Sequence, residues 1–270
     1  MSLSLRDMAV EVLTTADGRA KTALSRAHAR DWFAARKASS PLPLGHAQPP
    51  ERPARPERPE LLDPRDVPRR RPGSPQGRIA LLHAIAHIEL NAVDLHWDIV
   101  ARFHKIDMPL GFYDDWVKAA DEESNHFNLV CDCLEALGSS YGALPAHAGM
   151  WRAAEDTAED ILGRLAVVPM VLEARGLDVT PGMIEIFERA GETAAVEALK
   201  TIYAEEVGHV AYGSKWFNFL CGRQGLDPQP VFLELVRRYF HSPLKPPFNE
   251  EKRAQAGLPP DFYWPLTEPV

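Results

Sequence analysis

Two copies of a Glu-x-x-His motif are the residues of this sequence best suited to chemistry. Glu123 and His126 form the first copy, and Glu206 and His209 form the second. In an α-helix, residues three apart lie on one face about one turn from each other, so each pair can offer a carboxylate and an imidazole to one metal ion. Both copies lie in apolar segments, where a carboxylate is costly to bury unless a cation or a proton neutralises it. The motifs therefore predict metal binding.

Two further glutamates precede these motifs at matching distances. Glu123 lies 34 residues after Glu89, and Glu206 lies 33 residues after Glu173. The chain thus reads as two similar halves, each with a helix that carries one Glu followed by a helix that carries Glu-x-x-His. This is the ligand pattern of ferritin-like dinuclear carboxylate proteins. Although one Glu-x-x-His motif is common in exposed helices, two copies with matched glutamates predict one site with six ligands.

The ligand types indicate which metal the site would bind. Four carboxylates and two imidazoles suit iron or manganese, whereas structural zinc sites prefer thiolates. Four carboxylates offset the charge of two divalent ions, and bridging glutamates hold such ions about 3.5–4 Å apart. We therefore predict two metal ions as cofactor, with iron first and manganese as the alternative.

Four residues close to the two motifs are candidates for supporting roles. Glu122 and Glu205 each precede a ligand by one residue, which places them about 100° round the helix, where they face solvent or orient a ligand. Tyr203 lies one turn before the second motif and Tyr212 one turn after it. Either tyrosine can donate a hydrogen bond to a ligand, take part in one-electron chemistry or simply fill the core. Tyr203 is the candidate catalytic residue.

Three histidines on the first core helix have two interpretations each. His96 lies two turns after Glu89 on the same face, so it either orients a ligand or packs in the core. His83 and His87 are four residues apart, a spacing at which two histidines can bind a metal by themselves. However, His87 faces away from Glu89, which disfavours metal binding by this pair.

The elements that must position these residues are four core helices. Gly176 reads as the end of the third helix, and Thr180 with Pro181 as the start of a short separate helix. Pro169, one turn before Glu173, predicts a kink. Apolar periodicity places the four core helices at residues 78–104, 113–137, 155–175 and 192–221.

The segments outside the core differ in composition. Residues 41–75 hold eleven of the 24 prolines, which excludes a helix or a sheet and predicts an extended arm along the bundle surface. Aromatic residues in the C-terminal tail predict that it docks, either onto its own bundle or onto a second copy in a homodimer. The expected fold class is all-α, a ferritin-like four-helix bundle with extra N-terminal helices, a proline-rich arm and a C-terminal tail. The expected segments are N-terminal helices (1–40), arm (41–76), bundle (77–222) and C-terminal helix with tail (223–270).

Composition limits the classes of partner and compartment. A chain of 270 residues can bury a sizeable core, and its net charge of −8 disfavours nucleic-acid and anionic membrane partners. A local basic patch can coexist with this charge, so a nucleic-acid partner stays open. Three cysteines without a paired zinc or disulfide pattern favour a reducing compartment. Because neither a signal peptide nor a long apolar run is present, we expect a cytoplasmic protein with no membrane partner.

The motif-bearing segments resemble a bacterial ferritin-like family of unknown function. The resemblance covers residues 77–220 and depends on segments 87–92, 121–126, 180–183 and 205–209. It extends to the bacterial tRNA hydroxylase family and, more distantly, to rubrerythrins. It implies a four-helix bundle with a diiron centre, ligated by Glu89, Glu123, His126, Glu173, Glu206 and His209. The rubredoxin-like cysteine pairs of rubrerythrins are absent from this sequence.

Three functions are consistent with such a centre. The first is an oxygen-activating oxidoreductase or hydroxylase, which needs dioxygen, an unassigned substrate and an external electron donor. The second is iron or manganese handling of the ferroxidase type. The third is a non-enzymatic protein whose metal only holds the helices together or whose tail binds a partner. We expect the first.

Overall fold

The computed structural model describes residues 3–38, 40, 42–63, 65–68 and 70–268, and these residues are mostly helical. This confirms the all-α class. The chain divides into two compact units, Met1–Gly149 and Met150–Val270. No helix within the described ranges is both long and apolar enough to cross a membrane.

The first unit is built on four helices, three of which begin next to a residue whose side chain caps the helix. Ser4 and Asp7 form a capping box at the first helix, and Asp17 caps the second. Ser74 caps the third, which has proline at its first position. The four helices are α1 (Leu5–Thr14), α2 (Gly18–Lys37), α3 (Pro75–Arg102) and α4 (Leu110–Ala136).

Helix α3 is the centre of this unit. Every residue from Leu90 to Ala101 is buried, so this stretch is enclosed on all sides. It packs along α4 over much of its length. Its neighbours α1 and α2 are separated by a break at residues 15–17.

The proline-rich arm runs in extended conformation and is held by backbone hydrogen bonds. Leu5 N–H donates to the Pro43 carbonyl at 2.9 Å, and Ala54 N–H donates to the Leu13 carbonyl at 2.7 Å. The prediction that residues 41–75 exclude a sheet is wrong at one point: the arm contains the short strand β1 (Leu61–Leu62), which pairs in parallel with β2 (Ala146–His147). Since proline lacks a backbone donor, the arm depends on such contacts with other elements for its position.

A buried ion pair holds the arm against α3. The ammonium of Lys21 on α2 contacts the carboxylate of Asp94 on α3, and both side chains are fully buried. Lys21 Nζ also donates to the Ala54 carbonyl of the arm at 3.0 Å. Arg55, the next residue of the arm, also contacts α3. Its Nη2 lies 3.5 Å from Asp94 Oδ2 and donates to Asn91 Oδ1 at 2.6 Å. A single carboxylate on α3 thus fixes two elements.

The second unit is also helical and contains one π-helix. Asp160 caps α6, and Gly191, in the left-handed conformation at φ 73°, ends α7. The elements are α5 (Gly149–Asp156), α6 (Ile161–Val167), the π-helix (Val168–Glu173), α7 (Ala174–Ala190), α8 (Thr193–Gln224), α9 (Pro228–Tyr239), α10 (Glu250–Gln255), α11 (Pro260–Tyr263) and a 3-10 turn (Trp264–Leu266).

The predicted third core helix at residues 155–175 is wrong at both ends. Residues 157–160 separate α5 from α6, and α7 continues past Gly176 and through Pro181, so no separate helix starts there. A proline inside a helix leaves the carbonyl four residues earlier without its intrahelical donor. Here that carbonyl belongs to Leu177, and it accepts a hydrogen bond from Asn249 Nδ2 of the tail at 3.2 Å. A tail residue distant in sequence therefore compensates for the proline and lets the helix continue.

The tail docks on α7 and α8 of its own unit through a buried arginine. Arg253 is 2% exposed and its Nη2 donates to Asp178 Oδ2 at 2.7 Å. Its guanidinium lies over the rings of Phe248 and Tyr263, at 4.9 and 4.6 Å from their centroids. Asp178 stands five residues after Glu173, as Asp94 stands five residues after Glu89. Each unit therefore fixes its proline-rich segment through a buried aspartate at the same offset from a predicted ligand.

Removing the guanidinium should destabilise the second unit strongly. We expect Arg253→Met to lower its free energy of unfolding by about 3–5 kcal/mol, because the buried Asp178 carboxylate would lose its charged partner. The control is Arg189→Met, which removes an exposed ion pair with Glu185 and should change stability by less than about 1 kcal/mol. Chemical denaturation followed by circular dichroism measures both, and equal losses would contradict the importance of the buried pair.

Candidate metal centre

The first unit brings three predicted ligands together, and we call them cluster 1. Glu89 comes from α3, and Glu123 and His126 come from α4. One ligand atom of each lies within 4.8 Å of the others. His126 Nδ1 is 3.3 Å from Glu123 Oε2 and 3.6 Å from Glu89 Oε2. All three side chains are buried, so cluster 1 places two carboxylates beside one imidazole away from water.

The electrostatics of Glu89 indicate a site that favours a cation. Burial raises the pKa of its carboxyl well above the ordinary value, and the charge of the nearby Glu123 raises it further. Oε2 of Glu89 accepts no hydrogen bond from the part of the chain that the structure describes. A carboxylate in this position needs either a proton or a metal ion to offset its charge.

The second unit brings the other three predicted ligands together as cluster 2. Glu173 is the last residue of the π-helix, and Glu206 and His209 lie on α8. One ligand atom of each again lies within 4.8 Å of the others, and His209 Nδ1 is 3.8 Å from Glu206 Oε2. All three are buried. Each unit thus repeats the same combination of one Glu with one Glu-x-x-His.

The π-helix is the local structure that positions Glu173. The sequence predicts a kink at Pro169, and the structure places an opened turn from Val168 to Glu173. Pro169 packs against Gly213 of α8 so closely that a Cβ built on this glycine would lie 2.5 Å from Pro169 Cγ. Short π-helical turns occur frequently at functional sites, because they displace a side chain relative to the regular helix. The proline was the only sequence signal of this turn.

Two of the predicted supporting residues lie beside a cluster. His96 Nε2 is 3.8 Å from Glu123 Oε1, and its ring stacks on Trp116 with centroids 5.3 Å apart. The ring of Tyr212 lies beside that of His209, with centroids 6.4 Å apart. His96 therefore faces cluster 1 and Tyr212 faces cluster 2.

The other three predicted supporting residues belong to neither cluster among the described residues. Glu122 pairs with Lys118 one turn earlier, at 3.1 Å. Glu205 is half-buried. The hydroxyl of Tyr203 accepts a hydrogen bond from Asn249 Nδ2 at 2.7 Å, and burial raises the pKa of Tyr203. Tyr203 thus contacts the same tail residue that caps the Leu177 carbonyl.

His83 and His87 position a loop. His83 Nε2 accepts hydrogen bonds from the backbone N–H groups of Gly142 and Leu144, at 2.9 and 3.4 Å. His87 lies within hydrogen-bonding distance of the Tyr141 hydroxyl on one ring nitrogen and of the His147 carbonyl on the other, at 2.9 and 3.0 Å. The i, i+4 spacing permits a metal site at this pair, although the orientation of His87 disfavours one. In the structure, three of the four ring nitrogens contact the loop.

Comparison with known proteins places the chain in a family. A family model described as "Protein of unknown function (DUF455)" matches residues 14–264. The chain belongs to this DUF455 family. An "Uncharacterized protein" of Haemophilus influenzae is 44% identical over 214 residues, which cover 77% of this chain and 72% of the relative. No solved structure matches the chain significantly. Because neither the family nor the relative carries an assigned activity, function in this DUF455 protein has to be argued from the two clusters.

The contact between Pro169 and Gly213 gives a test of the π-helix. Gly213→Ala should lower the free energy of unfolding by about 1–3 kcal/mol, because the added methyl overlaps the proline ring. In the same helix a Cβ at Gly222 would meet nothing within 4 Å. Gly222→Ala should therefore be neutral or raise stability by up to about 1 kcal/mol. Thermal unfolding of both variants decides, and a harmless Gly213→Ala would contradict the close packing.

The loop contacts of His83 predict acid sensitivity. Burial lowers the pKa of His83 to about 4 from an ordinary value of 6.5. The unfolded chain then binds more protons than the folded one between these values, so stability should fall as the pH drops from 6.5 to 4, by at most about 3 kcal/mol. Protonation would also remove the lone pair that accepts from Gly142.

The variant His83→Gln keeps an acceptor but does not titrate, so its stability should fall less steeply over this range. Urea denaturation at pH 7, 5.5 and 4 compares the two proteins. Parallel pH profiles would show that His83 is not the group responsible.

Proposed function

We propose that this protein is a ferritin-like dinuclear carboxylate protein that binds two iron ions and uses them in oxygen-dependent oxidation of a substrate. The observation that supports this most is the repeated burial of one Glu with one Glu-x-x-His in each unit. The six ligands would be the set that the sequence predicts, Glu89, Glu123, His126, Glu173, Glu206 and His209. Manganese is the alternative metal.

The residues present fit such a pair of ions in charge and in donor type. Four carboxylates bring a charge of −4, which matches two divalent cations. Carboxylate oxygen and imidazole nitrogen suit iron and manganese. Cys131, Cys133 and Cys221 are buried outside both clusters, so the thiolate ligands that structural zinc prefers are missing from the described clusters.

An oxidative role is supported by features that a purely structural metal would not need. When bound, an iron pair supplies the capacity to activate dioxygen and oxidise a C–H or N–H bond. The chain's own contribution would be to hold the metals, exclude water from them and orient the ligands. The π-helix at Glu173 and the ring of Tyr212 beside His209 would serve the last of these tasks. Electrons would come from a separate donor protein, since the chain lacks a rubredoxin-like cysteine set.

Anaerobic titration tests the metal site first. The purified chain should bind two Fe²⁺ ions, and bound metal should raise its melting temperature, because only the folded state offers the ligands. Glu123→Gln should bind at most one ion and lose at least 100-fold in the rate of dioxygen consumption. The matched control is Glu135→Gln, on the same helix in an exposed ion pair with Arg19, which should retain both properties.

The outcomes separate the three functions that the sequence leaves open. Two bound ions with rapid dioxygen consumption and no iron core support the oxidase reading. Two ions with accumulation of ferric iron beyond two per chain would indicate iron handling. Two ions that raise stability but do not react with dioxygen would reduce the metal to a structural role, and fewer than two ions would contradict the proposal.

A further inference from the structure

Glu123 is placed to contact two metal ions, one with each carboxylate oxygen. Its Oε2 lies 3.3 Å from His126 Nδ1, on the side of Glu89. Its Oε1 lies instead 3.8 Å from His96 Nε2. The carboxylate is fully buried, so both oxygens face protein groups. A carboxylate whose two oxygens face two different imidazoles has the arrangement of a bridging ligand.

The separation between His96 and Glu123 is that of two ligands of one ion. At 3.8 Å the two atoms are too far apart for a hydrogen bond. Two atoms that bind the same ion, each at about 2 Å, lie at most about 4 Å apart. The distance between His96 and Glu123 is therefore compatible with a shared metal. The predicted ligands His209 and Glu206 show the same value, 3.8 Å between Nδ1 and Oε2. The distance between His96 and Glu123 thus equals that between two predicted ligands, His209 and Glu206.

The surroundings of His96 hold its ring in this orientation. The side chain is 1% exposed, and the ring stacks on Trp116 at an interplanar angle of 27°. The flat indole restricts rotation of the imidazole, so Nε2 remains directed at Glu123. His96 lies two turns after Glu89 on α3, which means that one helix presents ligands at two heights.

We infer that His96 is itself a metal ligand and that Glu123 bridges the ion bound by His96 and the ion bound by Glu89 and His126. This inference rests on the proposed function, because it assigns a seventh ligand to the same centre. The centre then contains three imidazoles and four carboxylates. If His96 binds one of the two ions, that ion would have one coordination position fewer for exogenous ligands than in the six-ligand proposal.

Counting the ligated histidines tests the inference without any measurement of activity. In the Co²⁺-loaded chain, each ligated imidazole carries one exchangeable ring N–H whose proton resonance is shifted far outside the normal range. We expect three such resonances in the wild type and two in His96→Gln. The control His104→Gln, which alters a half-buried histidine at the end of α3 next to Gln48, should retain all three.

The wild-type count alone separates the outcomes, even if His96→Gln does not fold. Two resonances would overturn the role of His96 and leave the six-ligand proposal intact. Fewer than two would contradict the proposed metal centre itself. As a second measurement, chelator competition should show at least a hundredfold weaker affinity for one of the two Co²⁺ ions in His96→Gln, whereas unchanged affinity for both ions would count against direct ligation.

Discussion

The burial of carboxylates is the constraint on which the structure depends. Each unit of this DUF455 protein places glutamates in a helical interior, where charge without a partner is unfavourable. Glu89 shows the consequence, since its pKa rises well above the ordinary range because of burial and the adjacent Glu123. Such an arrangement is stable only if protons or cations occupy it. The proposed metal pair would supply the positive charge that offsets the buried carboxylates. The helices must hold the ligands in place around it.

Both units secure those helices in the same way. A proline-rich segment lies against a helix, and a buried aspartate on that helix, five residues after a glutamate of the cluster, anchors it. Lys21 contacts Asp94 and holds the arm nearby, whereas Arg253 of the tail contacts Asp178 directly. Proline-rich segments cannot form their own ladders of hydrogen bonds, so they need such side-chain anchors. The arm and the tail therefore belong to the framework that positions the clusters.

Local departures from regular helix occur near Glu173. The π-helix shifts this side chain, and α7 continues past Pro181 because Asn249 caps the carbonyl that the proline leaves without a donor. Asn249 also binds the hydroxyl of Tyr203, so the tail connects the α7 backbone with α8. From sequence, a proline indicates only that regular hydrogen bonding will fail. Whether the helix continues depends on whether a group from elsewhere in the chain donates a hydrogen bond to the free carbonyl.

The sequence by itself indicated most of the helices and the two groups of candidate ligands, because helical periodicity and i, i+3 spacing are local properties of the chain. It also gave a family likeness and the expectation of iron chemistry, which remains a proposal. Only the tertiary structure decided that His83 and His87 hold a loop, that α7 runs through Pro181 and that Glu123 directs its second oxygen at His96. These features depend on contacts between residues far apart in the sequence, and no local pattern encodes the distance between two such side chains.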